Sequence, residues 1–93
     1  FGVYTSNVEE VIVRFSKSAA IDAMNYNFHP TQYFNPPEKD GSIIMKFQAS
    51  GRYEIITELL KWRDSVEVLA PKKLKEEYIQ TVKQMYENIG ENK

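Results

Sequence analysis

The chain carries one imidazole, His29, and no cysteine, which excludes thiolate nucleophiles, disulfides and Cys-ligated zinc and leaves little metal chemistry. His29 precedes Pro30 and suits either a ligand contact or a pH-sensitive hinge; the plainer reading is a residue that hydrogen-bonds the last carbonyls of a preceding helix. Arg14, Lys46 and Gln48 form a basic, hydrogen-bonding set suited to phosphate oxygens or a peptide carboxylate if neighbouring strands carry them. The alternative is a solvated surface neutralised by Glu67. Trp62, Tyr33, Phe34 and Tyr53 offer ring faces on which the bases of a single strand stack, although Trp62 continues an apolar stripe and is better placed as core. Lys72, Lys73 and Lys75 adjoin Glu76 and Glu77 and read as the solvated face of a helix. No nucleophile beside a base, no carboxylate pair around a pocket and no Gly-rich phosphate loop is legible. The expectation is a non-enzyme with no cofactor and no metal.

The elements that position these residues follow from periodicity. Val11, Val13 and Phe15 alternate with Glu10, Ile12 and Arg14 from Glu9 onward, which predicts a strand. Ser16 or Ser18 can cap a following helix whose one side carries Ala19, Ala20, Ala23 and Met24, fraying by Asn25 to Asn27. Thr31–Asn35 has the content of a second strand, halted by Pro36 and Pro37; Lys39, Asp40 and Gly41 reverse the chain into a third over Ser42–Ala49. The stretch Gly51–Pro71 organises the rest. Ile55, Ile56, Leu59, Leu60 and Trp62 recur at helical spacing, Asp64 and Ser65 turn the chain, and Val66–Leu69 is a short strand. Pro71 then suits the first turn of a long helix marked by Leu74, Tyr78, Val82, Met85 and Ile89, with Gly90 as its stop.

This β-α-β-β-α-β-α succession predicts an α+β, ferredoxin-like fold: an antiparallel sheet with two helices on one face plus a C-terminal helix. The covered face takes Val11, Val13, Phe15, Ile43, Met45, Phe47, Val66 and Val68, and the core is expected around Phe15, Phe47, Leu59, Trp62, Val66 and Val68. The open face takes Ile12, Arg14, Ile44, Lys46, Gln48, Glu67 and Leu69. Half apolar, it calls for a cover from the terminal helix, another domain or a second copy.

With 93 residues the chain has room for one domain, over residues 8–93. Twelve basic and 13 acidic side chains give a net charge of −1, so no bulk electrostatic attraction favours autonomous binding of duplex DNA. No apolar run approaches the roughly 18–20 residues that span a bilayer, and no signal peptide precedes the first strand, so a cytoplasmic protein without membrane contact is expected. Phe1, Gly2 and Val3 stand where an initiator methionine would, which fits a piece cut from something longer.

VIVRF at Val11–Phe15, FHPTQ at Phe28–Gln32, DGSIIMKF at Asp40–Phe47 and LLKWRDSVEVLAPKKLKEE at Leu59–Glu77 together resemble the C-terminal extension (WCX) domain of bacterial WYL-domain transcriptional regulators. His29, Pro30, Gln32, Asp40, Gly41, Val66, Val68, Leu69, Pro71 and Leu74 are its most specific pieces. The resemblance implies that residues 1–7 are a linker from an upstream WYL domain, itself preceded by a DNA-reading winged helix. It implies a homodimerising, effector-sensing role, with a nucleic acid or other anion as the effector. His29 and Gln32 then join Arg14, Lys46 and Gln48 as ligand-binding candidates. The chain departs from the family at the turn after Trp62, where Arg63 and Asp64 stand in place of a frequent glycine; of the two, Asp64 tolerates left-handed φ better. A stand-alone ferredoxin-like module binding a small ligand or protein is the alternative function. An RNA-recognition motif is disfavoured because SIIMKFQA lacks the Gly-aromatic pattern of its stacking strand, and no acylphosphatase-like phosphate cradle is legible.

Overall fold

A computed structural model describes residues 8–90; the linker expected over residues 1–7 lies outside them. The centre of the sheet is built by two segments of period two. β1 (Glu9–Phe15) and β3 (Ile43–Ala49) alternate apolar with mixed residues, so one face of each is uniformly apolar. They pair antiparallel with Val11 opposite Phe47, Val13 opposite Met45 and Phe15 opposite Ile43, and all six side chains are buried. β4 (Val66–Ala70) lies antiparallel on the other side of β1, with Val66 opposite Phe15 and Val68 opposite Val13. A register shift then brings Ala70 opposite Ile12, so Leu69 bulges from the ladder. β2 (Tyr33–Phe34) pairs with the outer side of β3, giving the strand order β2-β3-β1-β4.

β2 is shorter than its composition predicts, because a side chain replaces part of its ladder. The Gln48 amide donates to the Thr31 hydroxyl at 2.9 Å rather than to a backbone carbonyl, and Pro30, Pro36 and Pro37 have no N–H to contribute. The reversal is closed by the Glu38 amide donating to the Ser42 carbonyl at 2.8 Å. Gly41 sits there at φ +88°, and a Cβ on it would lie 2.8 Å from Lys17 Cγ, so the turn requires glycine.

The helices cover one face. α1 (Ala20–Met24), preceded by a 3-10 turn over Lys17–Ala19, buries Ala19, Ala20 and Ala23. Ser16 does not cap it; the Ser16 and Ser18 hydroxyls meet each other at 3.1 Å instead. α2 (Arg52–Leu60) buries Ile56 and Leu59, with Ile55 and Leu60 packed partly buried against the core. α3 (Lys72–Gly90) is anchored by Leu74, fully enclosed in the same core cluster, and by half-buried Tyr78. The terminal helix therefore docks on the covered side and leaves the open face to something else.

The α+β class, the antiparallel four-stranded sheet and the three helices match the sequence pattern. The regular β-α-β-β-α-β succession does not hold element for element: β2 has two residues, α1 has five, and a 3-10 turn (Arg63–Ser65) separates α2 from β4. The left-handed residue of that turn is Arg63, at φ +55°, not the better-suited Asp64. α2 ends at Leu60 and Trp62 is held by its ring contacts, so the reversal falls on the next residue, whatever its side chain.

Candidate functional site

The open face brings together three of the five ligand-binding candidates. Arg14 on β1 stands opposite Ile44 on β3 and Glu67 on β4, while Lys46 on β3 stands opposite Ile12 and Tyr33. The two cations are thus diagonal neighbours. Arg14 is already engaged: its Nη1 donates to Glu67 Oε1 at 3.1 Å. It also faces Asp40, whose carboxyl is held below the usual range first by the Ser42 hydroxyl and amide and further by the Arg14 charge. Lys46 makes no ion pair among the described residues. Gln48 is exposed opposite Glu10, and Glu10 accepts a 3.3 Å hydrogen bond from the Tyr33 hydroxyl. Arg14 and Lys46 therefore stand among Glu10, Glu67 and Asp40, and the face carries no excess of positive charge.

His29 and Gln32 lie elsewhere, in the loop from Tyr26 to Gln32. Gln32 Oε1 accepts from the Phe28 and His29 amides at 2.6 and 3.0 Å, and its Nε2 donates to the Tyr26 carbonyl at 2.8 Å. Its amide group thus holds the loop closed on itself. The Thr31 amide donates to His29 Nδ1 at 3.2 Å, and the Thr31 hydroxyl lies 2.9 Å from the same nitrogen. The imidazole stacks on Phe47 with centroids 5.9 Å apart. It bonds no helix-terminal carbonyl, because α1 has ended five residues earlier.

Among the core candidates, Phe15, Phe47, Leu59, Val66 and Val68 are buried, whereas Trp62 is half-buried. Trp62 lies beyond the end of α2, edge-on to Phe15 at 5.2 Å and to Tyr26 at 5.6 Å, and tilted on Phe28 at 5.5 Å. Tyr33 and Tyr53 are exposed but belong to different elements, the sheet edge and the first turn of α2, and Phe34 packs against the core, so among the described residues these rings form no common stacking platform. Tyr26 and Phe28 had no sequence signal beyond two aromatics flanking Asn27. Beside them, the Tyr26 hydroxyl donates to Glu58 Oε1 at 2.7 Å, and Lys61 Nζ meets Glu58 Oε2 at 3.0 Å. The hydroxyl, then Lys61, holds the Glu58 carboxyl below its usual range, and the same bond raises Tyr26.

The second candidate surface is α3. Beyond Tyr78 it exposes Ile79, Val82, Met85, Tyr86 and Ile89, from 42% to 74% accessible. Ile79, Val82, Tyr86 and Ile89 are spaced 3, 4 and 3 residues apart, the spacing of a seam made for another helix. Tyr78 is raised by burial at the base of this stripe.

Among the described residues no group of His, Cys, Asp and Glu side chains could hold a metal ion, and no helix is long and apolar enough to cross a membrane. No curated protein matches the chain. A family model described as the WCX domain matches residues 7–86, which takes in all four strands, both short helices and most of α3. The chain belongs to the WCX domain family.

Proposed function

We propose that this WCX domain is the C-terminal dimerisation and effector-sensing part of a bacterial WYL-type winged-helix transcriptional regulator, and that it pairs with a second copy through α3. The observation that carries the pairing is the exposed apolar seam Ile79, Val82, Tyr86 and Ile89 on a helix anchored at its other end by Leu74. These four side chains, with Met85 beside them, are held in water on about three helical turns and are stabilised by a self-complementary contact about a two-fold axis. In the whole regulator the WYL and winged-helix domains precede residue 8 in the same cytoplasmic chain, and the role is non-enzymatic. The strand order and the one-sided helix layer support a reduced ferredoxin-like fold.

The sensing role rests on the open face. Lys46 is its uncommitted cation, and Arg14 becomes available to a nucleic-acid or other anionic effector when the ligand or an adjoining WYL domain displaces Glu67. Because the face has no excess of positive charge, it contributes little to duplex binding by itself. A stand-alone binding module is the second reading, favoured by the cavity beside α2 described below.

Sedimentation velocity on the wild-type chain and on a Val82→Glu/Ile89→Glu double variant tests the pairing. Wild type is expected to sediment as a dimer at micromolar concentration and the variant as a folded monomer. A wild-type monomer at high micromolar concentration overturns the proposal.

A further inference from the structure

Because α1 has only five residues, the helix layer over the sheet is incomplete. The Tyr26–Gln32 loop crosses the edge of β3 in place of a longer helix, and between this loop and α2 a cavity of about 240 Å³ opens. Its walls are Phe28, Phe47, Ile55 and Leu59, with the His29 ring stacked on Phe47 and small Ala49 and Ser50 at one end. The polar groups at its rim are one-sided. Glu54 and Glu58, one helical turn apart on α2, both line it; Glu54 is exposed, as is Ser50, and Glu58 is half-buried. Lys61 balances Glu58; Glu54 makes no ion pair among the described residues. The volume lies at or below the small end of ligand cavities, roughly 300 Å³, so the occupant is a molecule of few heavy atoms.

We propose that this cavity binds a small organic cation, a primary ammonium carried on a short aromatic or aliphatic body, with the body against Phe28, Phe47 and Ile55 and the ammonium between Glu54 and Glu58. An ammonium supplies three donors and a positive charge to Glu54, which makes no ion pair among the described residues, and to the second lone pairs of Glu58, whose oxygens each already accept one bond, from Tyr26 and from Lys61. The aromatic walls favour a cation further. This site is on the opposite face from Arg14 and Lys46 and selects the opposite charge, so it does not depend on the anionic-effector reading.

The test is an NMR titration of the isotope-labelled 93-residue chain with phenethylammonium, phenethyl alcohol and phenylpropionate, which share a body and differ in charge. The ammonium is expected to give saturable shifts at the amides of Ala49, Ser50 and Ile55, with the alcohol weaker and the carboxylate weakest. Glu54→Gln should weaken the ammonium about fivefold, the worth of one unit-charge attraction at contact distance in a water-like medium, and leave the alcohol unchanged. Ala49→Leu should remove binding of both. Equal affinity for all three probes, unchanged ammonium affinity in Glu54→Gln, or no saturation by the ammonium would each overturn the proposal.

Discussion

Arg52 grips Glu9 in a fork, Nη2 to Oε2 at 3.0 Å and Nε to Oε1 at 3.3 Å, and extends Nη1 to Glu77 Oε2 at 3.2 Å. One guanidinium thus ties the first residue of β1 to the first residue of α2 and to the second turn of α3. The geometry uses the planar five-donor group, which lysine does not supply. The Glu9 hydrogen bonds, and behind them both carboxylate charges, raise Arg52 above its ordinary value.

Arg52→Met should therefore speed amide hydrogen exchange at the start of β1 and in the first half of α3 together, with the centre of the sheet unchanged. Acceleration confined to one of the two would mean that the fork and the Glu77 contact act separately. Arg52→Lys should behave like Met rather than like wild type.

Arg63 holds left-handed backbone at φ +55°, which costs an L-residue with a Cβ about 1–2 kcal/mol. Arg63→Gly removes that strain but frees the unfolded chain, which offsets about 0.4–1 kcal/mol. Chemical denaturation should show a net gain of up to about 1.6 kcal/mol. A loss would mean that the Arg63 side chain makes a compensating contact.

The Tyr26–Glu58 hydrogen bond gives the fold two pH limbs. Glu58 is depressed in the folded state, so its stabilisation is present above the ordinary carboxylate value and is lost as pH falls through the folded one. Tyr26 is raised, so its stabilisation is present below the ordinary tyrosine value and is lost as pH rises through the folded one. Tyr26→Phe should flatten both limbs of a urea midpoint against pH profile, mainly by lowering the neutral plateau. An unchanged acid limb would place Glu58's depression on Lys61 alone.

Trp62→Ala empties a half-buried aromatic site against Phe15, Tyr26 and Phe28. The expected loss is about 3 kcal/mol, the low end for a large aromatic, because part of the ring is already in water. Leu59→Ala, at 0% exposure, should cost more, about 4–5 kcal/mol, the upper part of the range for a buried leucine. Equilibrium urea melts that reverse this order would contradict the burial assignment.

Strands with one apolar face were the most legible part of the fold, because a period of two leaves little choice of register. Val11, Val13 and Phe15, and Ile43, Met45 and Phe47, all fall on one side for that reason. β2 was less legible: Thr31 substitutes a hydroxyl for a ladder bond, a tertiary event that no local pattern records. The cap expected at Ser16 failed because another hydroxyl two residues on was its nearer partner. The left-handed turn was placed by what flanks it rather than by propensity, hence Arg63 and not Asp64. The candidate site was legible only as a list of residue types. Alternation put Arg14, Lys46 and Gln48 on one face, but the pairing of Arg14 with Glu67 depends on the register of β1 with β4. Gln32's engagement with three backbone groups of its own loop, and the cavity beneath that loop, depend on where α1 stops.

The pairing of α3 is tested most directly by cross-linking, which the absence of native cysteine makes clean. Met85→Cys places one thiol on the apolar side of α3, and Thr57→Cys places one on the exposed side of α2 as a control. Under mild oxidation at micromolar concentration, Met85→Cys should run quantitatively as a disulfide-linked dimer on a non-reducing gel while Thr57→Cys stays monomeric. Equal cross-linking of the two, or a Met85→Cys chain that remains monomeric, would contradict self-association through this helix.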